Sequence, residues 1–139
     1  MNILVIDAQG GGIGRQLVAK LLEMIPEAEI VAAGTKSMAT NAMIKAGAKK
    51  AATGENAIRY CASQAEIITG PIGILVANAM LGEISPAIAE SVGSSTAPKV
   101  LIPTAHCNTI IAGTKALPVK DSIEDAVDRI VRIHGGEDN

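Results

Sequence analysis

The sequence predicts an α/β fold of three layers, in which a doubly wound, mainly parallel sheet of about five or six strands lies between two layers of helices. Short apolar runs alternate with amphipathic segments from one end of the chain to the other. The composition is 48% hydrophobic and 19% charged, which is typical of a compact globular protein. No repeat, linker or low-complexity segment interrupts the 139 residues. We therefore expect one domain over residues 1–139.

Six short segments are predicted as strands, and the first of them is an apolar, β-branched run typical of a buried parallel strand. They cover residues 3–6, 29–33, 49–52, 66–69, 99–102 and 109–112. The first run leads through a glycine-rich stretch and a helical segment into the second, all within about 30 residues, which is the length of a βαβ unit. Because such a unit joins parallel neighbours, the sheet is expected to be mainly parallel.

Apolar residues at helical spacing predict the helices that connect these strands. The predicted helices cover residues 15–25, 38–46, a short segment after residue 53, residues 85–92 and residues 121–134. Several residues are expected to cap or end them, because their side chains or backbone preferences suit helix termini. In chain order these are Pro26, Gly47, Thr53, Ser85, the capping-box pair Asp121 and Glu124, and Gly135.

The stretch "IDAQGGGIG", residues 6–14, follows the first strand and opens the first helix. Glycines allow the backbone conformations that such a turn needs, and the helix N-terminus presents free N–H groups to an anion. Gly14 is expected to let the helix pack closely on the strand, whereas Gln9 stands where the pattern G-x-G-x-x-G requires its first glycine. We expect a nucleotide here, with a purely structural turn as the alternative. The predicted contact residues are Asp7, Ala8, Gln9, Gly10, Gly11, Gly12, Ile13 and Gly14.

This turn resembles that of the short-chain dehydrogenase/reductases, which reads roughly T-G-x-x-x-G-I-G or T-G-x-x-G-x-I-G. Asp7 replaces the threonine and Ala8 the first glycine, whereas residues 11–14 fit one or other form of the pattern. The resemblance implies a Rossmann-like domain that binds NAD or NADP. It does not extend to the reaction, because those enzymes use a Tyr-x-x-x-Lys pair and Tyr60 is followed four residues later by Gln64.

In open α/β folds ligands bind outside the carboxyl ends of the strands, and two loops, residues 69–73 and 103–108, are expected to reach that edge beside the glycine turn. The loop after the second strand contains Gly34, Thr35, Lys36 and Ser37 and has no acidic residue. A lysine there suits the 2′-phosphate of NADP and favours NADP over NAD. The alternative is a solvated loop with Ser37 as a helix N-cap. The loop after the fourth strand is expected beside the nicotinamide ribose, with a rigid turn as the alternative. Its residues are Gly70, Pro71, Ile72 and Gly73.

The loop "PTAHCN" supplies weak candidates for catalysis, namely His106, Cys107 and Asn108. Adjacent side chains usually diverge, which argues against a Cys–His pair. A reactive Cys107 would be a better nucleophile than Cys61. The two cysteines form no paired metal motif, so no metal site is predicted. The polar residues Glu55, Asn56, Asn78 and Glu83 could contact a ligand or a second subunit, or serve structural roles.

Composition and hydropathy argue against nucleic-acid and membrane partners. The net charge is −2, and the chain has one tyrosine but no tryptophan or phenylalanine, so it lacks the basic, aromatic groove of a single-strand binder. Gly70, Pro71 and Gly73 interrupt the longest apolar region, and no basic segment precedes an apolar N-terminal run. The protein is therefore predicted to be cytoplasmic.

The ordered motifs "DAQGGGIG", "GAKKAATGENAI", "EIITGPIGI", "ANAMLGEISP" and "HCN" resemble those of a family of short bacterial proteins known only as a domain of unknown function. The resemblance covers residues 1 to about 133 and implies a Rossmann-like fold but no reaction. We expect a nucleotide-binding homo-oligomer that uses NADP or NAD. Two alternatives are a small reductase or transferase that uses the Cys107 loop, and a non-binding interaction module.

Overall fold

The computed structural model describes residues 1–104 and 108–136. Five parallel strands form one sheet in the order β3-β2-β1-β4-β5. The strands are β1 (Asn2–Asp7), β2 (Glu29–Gly34), β3 (Lys50–Thr53), β4 (Ile67–Pro71) and β5 (Lys99–Ile102). The predicted doubly wound, parallel α/β fold is thus confirmed, with five strands in the described part of the chain.

Helices cover both faces of this sheet, and each face has its own apolar core. The helices are α1 (Gly12–Met24), α2 (Ser37–Lys45), α3 (Glu55–Gln64), α4 (Pro86–Ser94) and α5 (Val119–His134), with a short 3-10 helix at Ile72–Leu75. Helices α1, α2 and α5 pack on one face, and α3 and α4 pack on the other. Alternate residues of β1 therefore enter opposite cores, as is usual for a central parallel strand.

The sixth predicted strand, residues 109–112, is wrong. This segment lies in an irregular loop between β5 and α5, and Ile110 has 95% of its surface exposed. Its apolar residues resemble a strand in sequence, but in the described structure they pair with no other strand. In the described structure, residues 109–112 thus belong to an apolar loop after β5 and do not add a strand to the sheet.

Helix caps agree with the sequence where the signal is local. The Ser85 hydroxyl accepts a hydrogen bond from the N–H of Ile88 at 3.2 Å, as expected for an N-cap. The predicted roles of Thr53, Ser37 and the Asp121 capping box are wrong. Gly54, Lys36 and Pro118 are the N-cap residues there, and none of these three helices has a side-chain cap.

In the described part of the chain, no helix combines the length and the apolar composition that are needed to cross a bilayer.

Candidate functional site

The carboxyl ends of β1 and β4 form the switch point of the sheet. From β1 the chain crosses to β2 on one side, whereas β4 pairs with β1 on the other side. Crevices outside such a point are where open α/β sheets bind ligands. The predicted glycine turn, the end of β2 and the segment from residue 70 to residue 73 all lie at this edge.

The glycines of the first turn fall into two groups. A Cβ at Gly11 would lie 2.8 Å from the carbonyl oxygen of Ala39, and one at Gly14 would lie 2.6 Å from the Sδ of Met43. Both glycines are therefore required by the packing of α2 against the turn. A Cβ at Gly14 would also lie 2.9 Å from the Cβ of Asp7 in β1, so Gly14 allows the predicted close packing of α1 on that strand. A Cβ at Gly10 or Gly12 would meet no atom within 4 Å. The fold itself gives no steric reason for these two glycines.

Asp7, at the end of β1, binds the start of α1. Its carboxylate accepts hydrogen bonds from the N–H of Ala8 at 2.8 Å and of Gly14 at 2.6 Å, and the Ile13 N–H contributes a further one. Burial raises the pKa of Asp7, these hydrogen bonds lower it in part, and the nearby charge of Glu83 raises it again. Asp7 thus acts as a remote N-cap for α1.

The hydrogen bonds of this turn leave two backbone donors unused. Gly11 donates to the carbonyl oxygen of Ala8 at 3.1 Å, and the N–H of Gln9 donates to Glu83 at 2.8 Å. The N–H groups of Gly10 and Gly12 have no acceptor within residues 1–104 and 108–136. Both residues are exposed, so these donors face solvent at the positive end of the α1 dipole.

Glu83 connects two of the predicted segments, the glycine turn and the loop after β2. One carboxylate oxygen accepts hydrogen bonds from the N–H of Gln9 at 2.8 Å and from the hydroxyl of Thr35 at 2.7 Å. The other oxygen lies 3.1 Å from the Nζ of Lys36. Burial alone would raise the pKa of Glu83, but the hydrogen bonds from Gln9, Thr35 and Lys36 and the charge of Lys36 lower it overall.

The end of β2 is shaped by a second close contact. A Cβ at Gly34 would overlap with the hydroxyl of Thr40, so only glycine fits between β2 and α2. Thr35 and Lys36 follow and turn toward Glu83. Ser37 is the first residue of α2. In the described structure Lys36, which the sequence suggested for a 2′-phosphate, and the neighbouring Thr35 are therefore already paired with Glu83.

The segment after β4 is more buried than the other two. A Cβ at Gly70 would overlap with the carbonyl oxygen of Ile6, so Gly70 is needed where β4 passes β1. Pro71 ends β4, and Ile72 and Gly73 begin the 3-10 helix. Of these four residues, Ile72 is partly exposed and the others are buried. Ile72 borders a groove of about 610 Å³ at the ends of β4 and β5.

Asn108 lines this same groove together with Ile110, Ile111 and Leu117. The other two catalytic candidates, His106 and Cys107, lie outside the described residues. Burial raises the pKa of Cys61, which makes that thiol a weaker nucleophile. Within the residues that the structure describes, no three His, Cys, Asp or Glu side chains are grouped so that they could hold a metal ion.

The loop that carries Glu83 has an unusual backbone. Asn78, Met80 and Leu81 have φ angles of 68°, 57° and 59°, in the left-handed region that residues other than glycine seldom adopt. Leu81 has 98% of its surface exposed, whereas Ile84 is fully buried and anchors the loop beside Glu83. Such strained segments are often found at functional sites.

Glu83 is the residue whose contacts the sequence did not reveal. It lies 74 residues from Gln9 and 48 residues from Thr35 in the chain, so no local spacing connects them. Of the other polar residues left open, Glu55 accepts a hydrogen bond from the Ser85 hydroxyl and joins the starts of α3 and α4. Asn78 donates its N–H to the carbonyl oxygen of Ile84 at 2.6 Å and closes the Glu83 loop.

Comparison with solved structures finds a similar fold in a decarboxylase and weaker likenesses in other proteins. A dodecameric FMN-dependent Ubix-like decarboxylase from Escherichia coli O157:H7 matches with a TM-score of 0.53 and 16% identity, over 97% of this chain and 95% of that one. Apo saccharopine dehydrogenase (L-Glu forming) from Saccharomyces cerevisiae matches with a TM-score of 0.47 and 15% identity, over 90% of this chain and 24% of that one. AibC matches with a TM-score of 0.47 and 14% identity, over 98% of this chain and 42% of that one. At these identities the likeness concerns the fold alone.

Comparison with curated protein sequences finds no match. A family model described as "Domain of unknown function (DUF3842)" matches residues 2–135, nearly the whole chain. The resemblance suggested by the ordered motifs is therefore confirmed. The chain belongs to this family of unknown function.

Proposed function

We propose that this protein binds a nucleotide cofactor, NAD or NADP, across the carboxyl edge of its sheet. The observation that carries the proposal is the pair Gly10 and Gly12. Both positions have open space where a side chain would stand, and both have backbone N–H groups without an acceptor in the described structure. A pyrophosphate placed there would accept hydrogen bonds from these N–H groups and would be stabilised by the positive end of the α1 dipole.

The rest of the edge suits the two ends of a dinucleotide. Thr35, Lys36 and Glu83 form a polar site at the end of β2, on the side expected for the adenosine ribose. On the other side of the switch point, Ile72 borders the groove of about 610 Å³. Small-molecule sites are commonly of this size and are lined mainly by apolar groups. The nicotinamide half is assigned to this groove.

Two charges act against a phosphate at this edge. The Asp7 carboxylate already accepts hydrogen bonds from the N–H groups of Ile13 and Gly14. Its negative charge, like that of Glu83, would repel a bound anion. The proposed pyrophosphate site therefore depends on Gly10 and Gly12, nearer the solvent, rather than on the inner N–H groups of the helix.

We also propose that the protein functions as a homo-oligomer. Several large apolar side chains in the loop before α5 and at its start are exposed, and all but Val119 also line the groove. They are Ile110, Ile111, Leu117 and Val119. A second copy would cover the outer side of this surface and leave the groove itself to the nicotinamide half, since monomers seldom leave large apolar patches in water.

Calorimetric titration of the purified protein with NAD, NADP and FMN tests the nucleotide proposal. FMN is included because it is the cofactor named for the decarboxylase of similar fold. Gly12→Val is expected to weaken binding by at least about tenfold, which corresponds to roughly 1.4 kcal/mol. The fold should persist, because a Cβ at Gly12 meets no atom within 4 Å.

The matched control is Gly93→Val in α4, where a Cβ would meet only Leu75, at 4.0 Å. This variant is expected to bind as the wild type does. The proposal is wrong if neither NAD nor NADP binds saturably to the wild type, whatever the result with FMN. It is also wrong if Gly12→Val and Gly93→Val bind equally well, because the turn would then be structural.

A further inference from the structure

We propose that Glu83 makes this site specific for a nucleotide with a free ribose diol and excludes one with a 2′-phosphate. The inference rests on the proposed function and concerns the same site. It reverses the preference for NADP that the loop after β2 suggested. The sequence shows no acid in that loop, but the fold brings one to the same place from the segment after β4.

The position of the carboxylate carries the first step. In dinucleotide-binding folds an acid at the end of the second strand accepts the ribose hydroxyls, close to the first glycine turn. Here the Glu83 carboxylate lies between those two elements, 2.7 Å from the Thr35 hydroxyl and 2.8 Å from the Gln9 N–H. Glu83 therefore occupies the region where the acid of the second strand would act.

The hydrogen-bonding capacity of Glu83 carries the second step. A carboxylate has about four lone-pair positions, and three are used here, by Gln9, Thr35 and Lys36. The Lys36 side chain is 54% exposed and can leave toward solvent. Its departure would give the oxygen that it contacts two free positions, which are enough for both hydroxyls of a ribose diol.

Charge carries the third step. A 2′-phosphate at this place would meet the ionised Glu83, with the buried Asp7 as a second acid close enough for the charge of Glu83 to raise its pKa. The only described cation that pairs with Glu83 is Lys36, and its charge is largely offset by Glu83 itself. The geometry thus favours neutral donors, such as hydroxyl groups, over an additional anion.

The loop holds Glu83 in this place before any ligand binds. The N–H of Asn78 donates to the carbonyl oxygen of Ile84 at 2.6 Å, and the N–H of Ile84 donates back to Ala79 at 3.2 Å. Ile84 is fully buried directly beside Glu83. A carboxylate fixed in this way needs little reorganisation to accept a ribose.

Parallel titrations with NAD and NADP test the inference. The wild type is expected to bind NAD at least about tenfold more tightly than NADP. Glu83→Gln removes the charge and releases Lys36, so the preference should fall to near unity or reverse. Glu55→Gln is the matched control, because it removes a carboxylate that contacts Ser85 at the starts of α3 and α4. This control should keep the preference for NAD.

The outcomes separate the two proposals. If neither nucleotide binds the wild type, the proposed function fails and Glu83 has no such role. If both bind but the wild type prefers NADP or shows no preference, the inference alone is overturned. If Glu83→Gln does not fold, ADP and 2′-phospho-ADP are compared on the wild type, and equal affinity overturns the inference. An unchanged preference in a folded Glu83→Gln protein overturns it as well.

Discussion

Thr69 and Thr40 are two buried threonines whose hydroxyls differ in their contacts. The Thr40 hydroxyl lies 2.7 Å from that of Thr53 and bonds to it. The Thr69 hydroxyl, in the centre of β4, has no hydrogen-bond partner within the described residues. Leaving a buried hydroxyl unpaired costs about 1–3 kcal/mol, whereas a paired one is stabilising by roughly 1 kcal/mol.

The nearly isosteric change Thr69→Val is therefore expected to raise the free energy of unfolding by about 1 kcal/mol. Thr40→Val should lower it by about the same amount, because it leaves the Thr53 hydroxyl without this partner. Urea unfolding followed by circular dichroism measures both. A similar loss in the two variants would mean that the Thr69 hydroxyl is hydrogen-bonded in solution, for example to a buried water.

For individual residues, the sequence predicted which ones form the glycine turn but not which groups they contact in the fold. Gly14 was expected to allow close packing of α1, and it does. Asp7 was expected to contact a ligand, yet its carboxylate binds the N–H of Gly14, seven residues away. The contacts of Glu83 depend on how distant loops meet, and no spacing in the sequence contains that information.

The loop from residue 76 to residue 85 has a strained backbone, with three non-glycine residues in the left-handed region. Leu81 adopts a φ of 59° with 98% of its surface exposed. For residues with a Cβ, this conformation costs roughly 1–2 kcal/mol, and glycine avoids most of that cost. Because the side chain packs against almost nothing, replacing it forfeits little buried surface.

Leu81→Gly is therefore expected to raise the free energy of unfolding by about 0.5–1 kcal/mol, after the greater freedom of glycine in the unfolded chain is counted. Leu81→Ala keeps the Cβ and should change stability little. Thermal unfolding of the two variants decides the matter. If glycine proves no better than alanine at this position, the loop does not hold Leu81 in the left-handed region.

Elements were predicted best where one local signal decides them. The Ser85–Pro86 pair fixed the start of α4, because a serine hydroxyl and a proline at the first helical position suit the same end. The start of α5 was predicted too late. Pro118 initiates the helix directly before Val119, so Asp121 falls inside the first turn.

A mainly parallel sheet of about five or six strands could be predicted from the alternation of strands and helices, since right-handed crossovers leave few arrangements for such a sheet. The segment that forms its edge could not be predicted. The run at residues 109–112 has the composition of a strand, and only the folded chain shows it in a loop beyond β5. Whether an apolar run joins a sheet depends on the partners that the rest of the molecule offers.

That apolar loop leads to a prediction about assembly. Ile110 and Leu117 have 95% and 53% of their surfaces exposed, and both line the groove at the ends of β4 and β5. If a second copy covers them, the protein in solution has a mass that is a multiple of the 14.2 kDa chain. Burying two charges in that interface without partners would be costly.

The double variant Ile110→Glu and Leu117→Glu is therefore expected to shift the protein toward the monomer in light scattering coupled to gel filtration. The control is Met38→Glu, on the exposed side of α2, where 64% of the side chain is already in water. This control should keep the wild-type mass. A monomeric wild type would contradict the proposed oligomer, and an oligomer unaffected by the double variant would assign its interface to another surface.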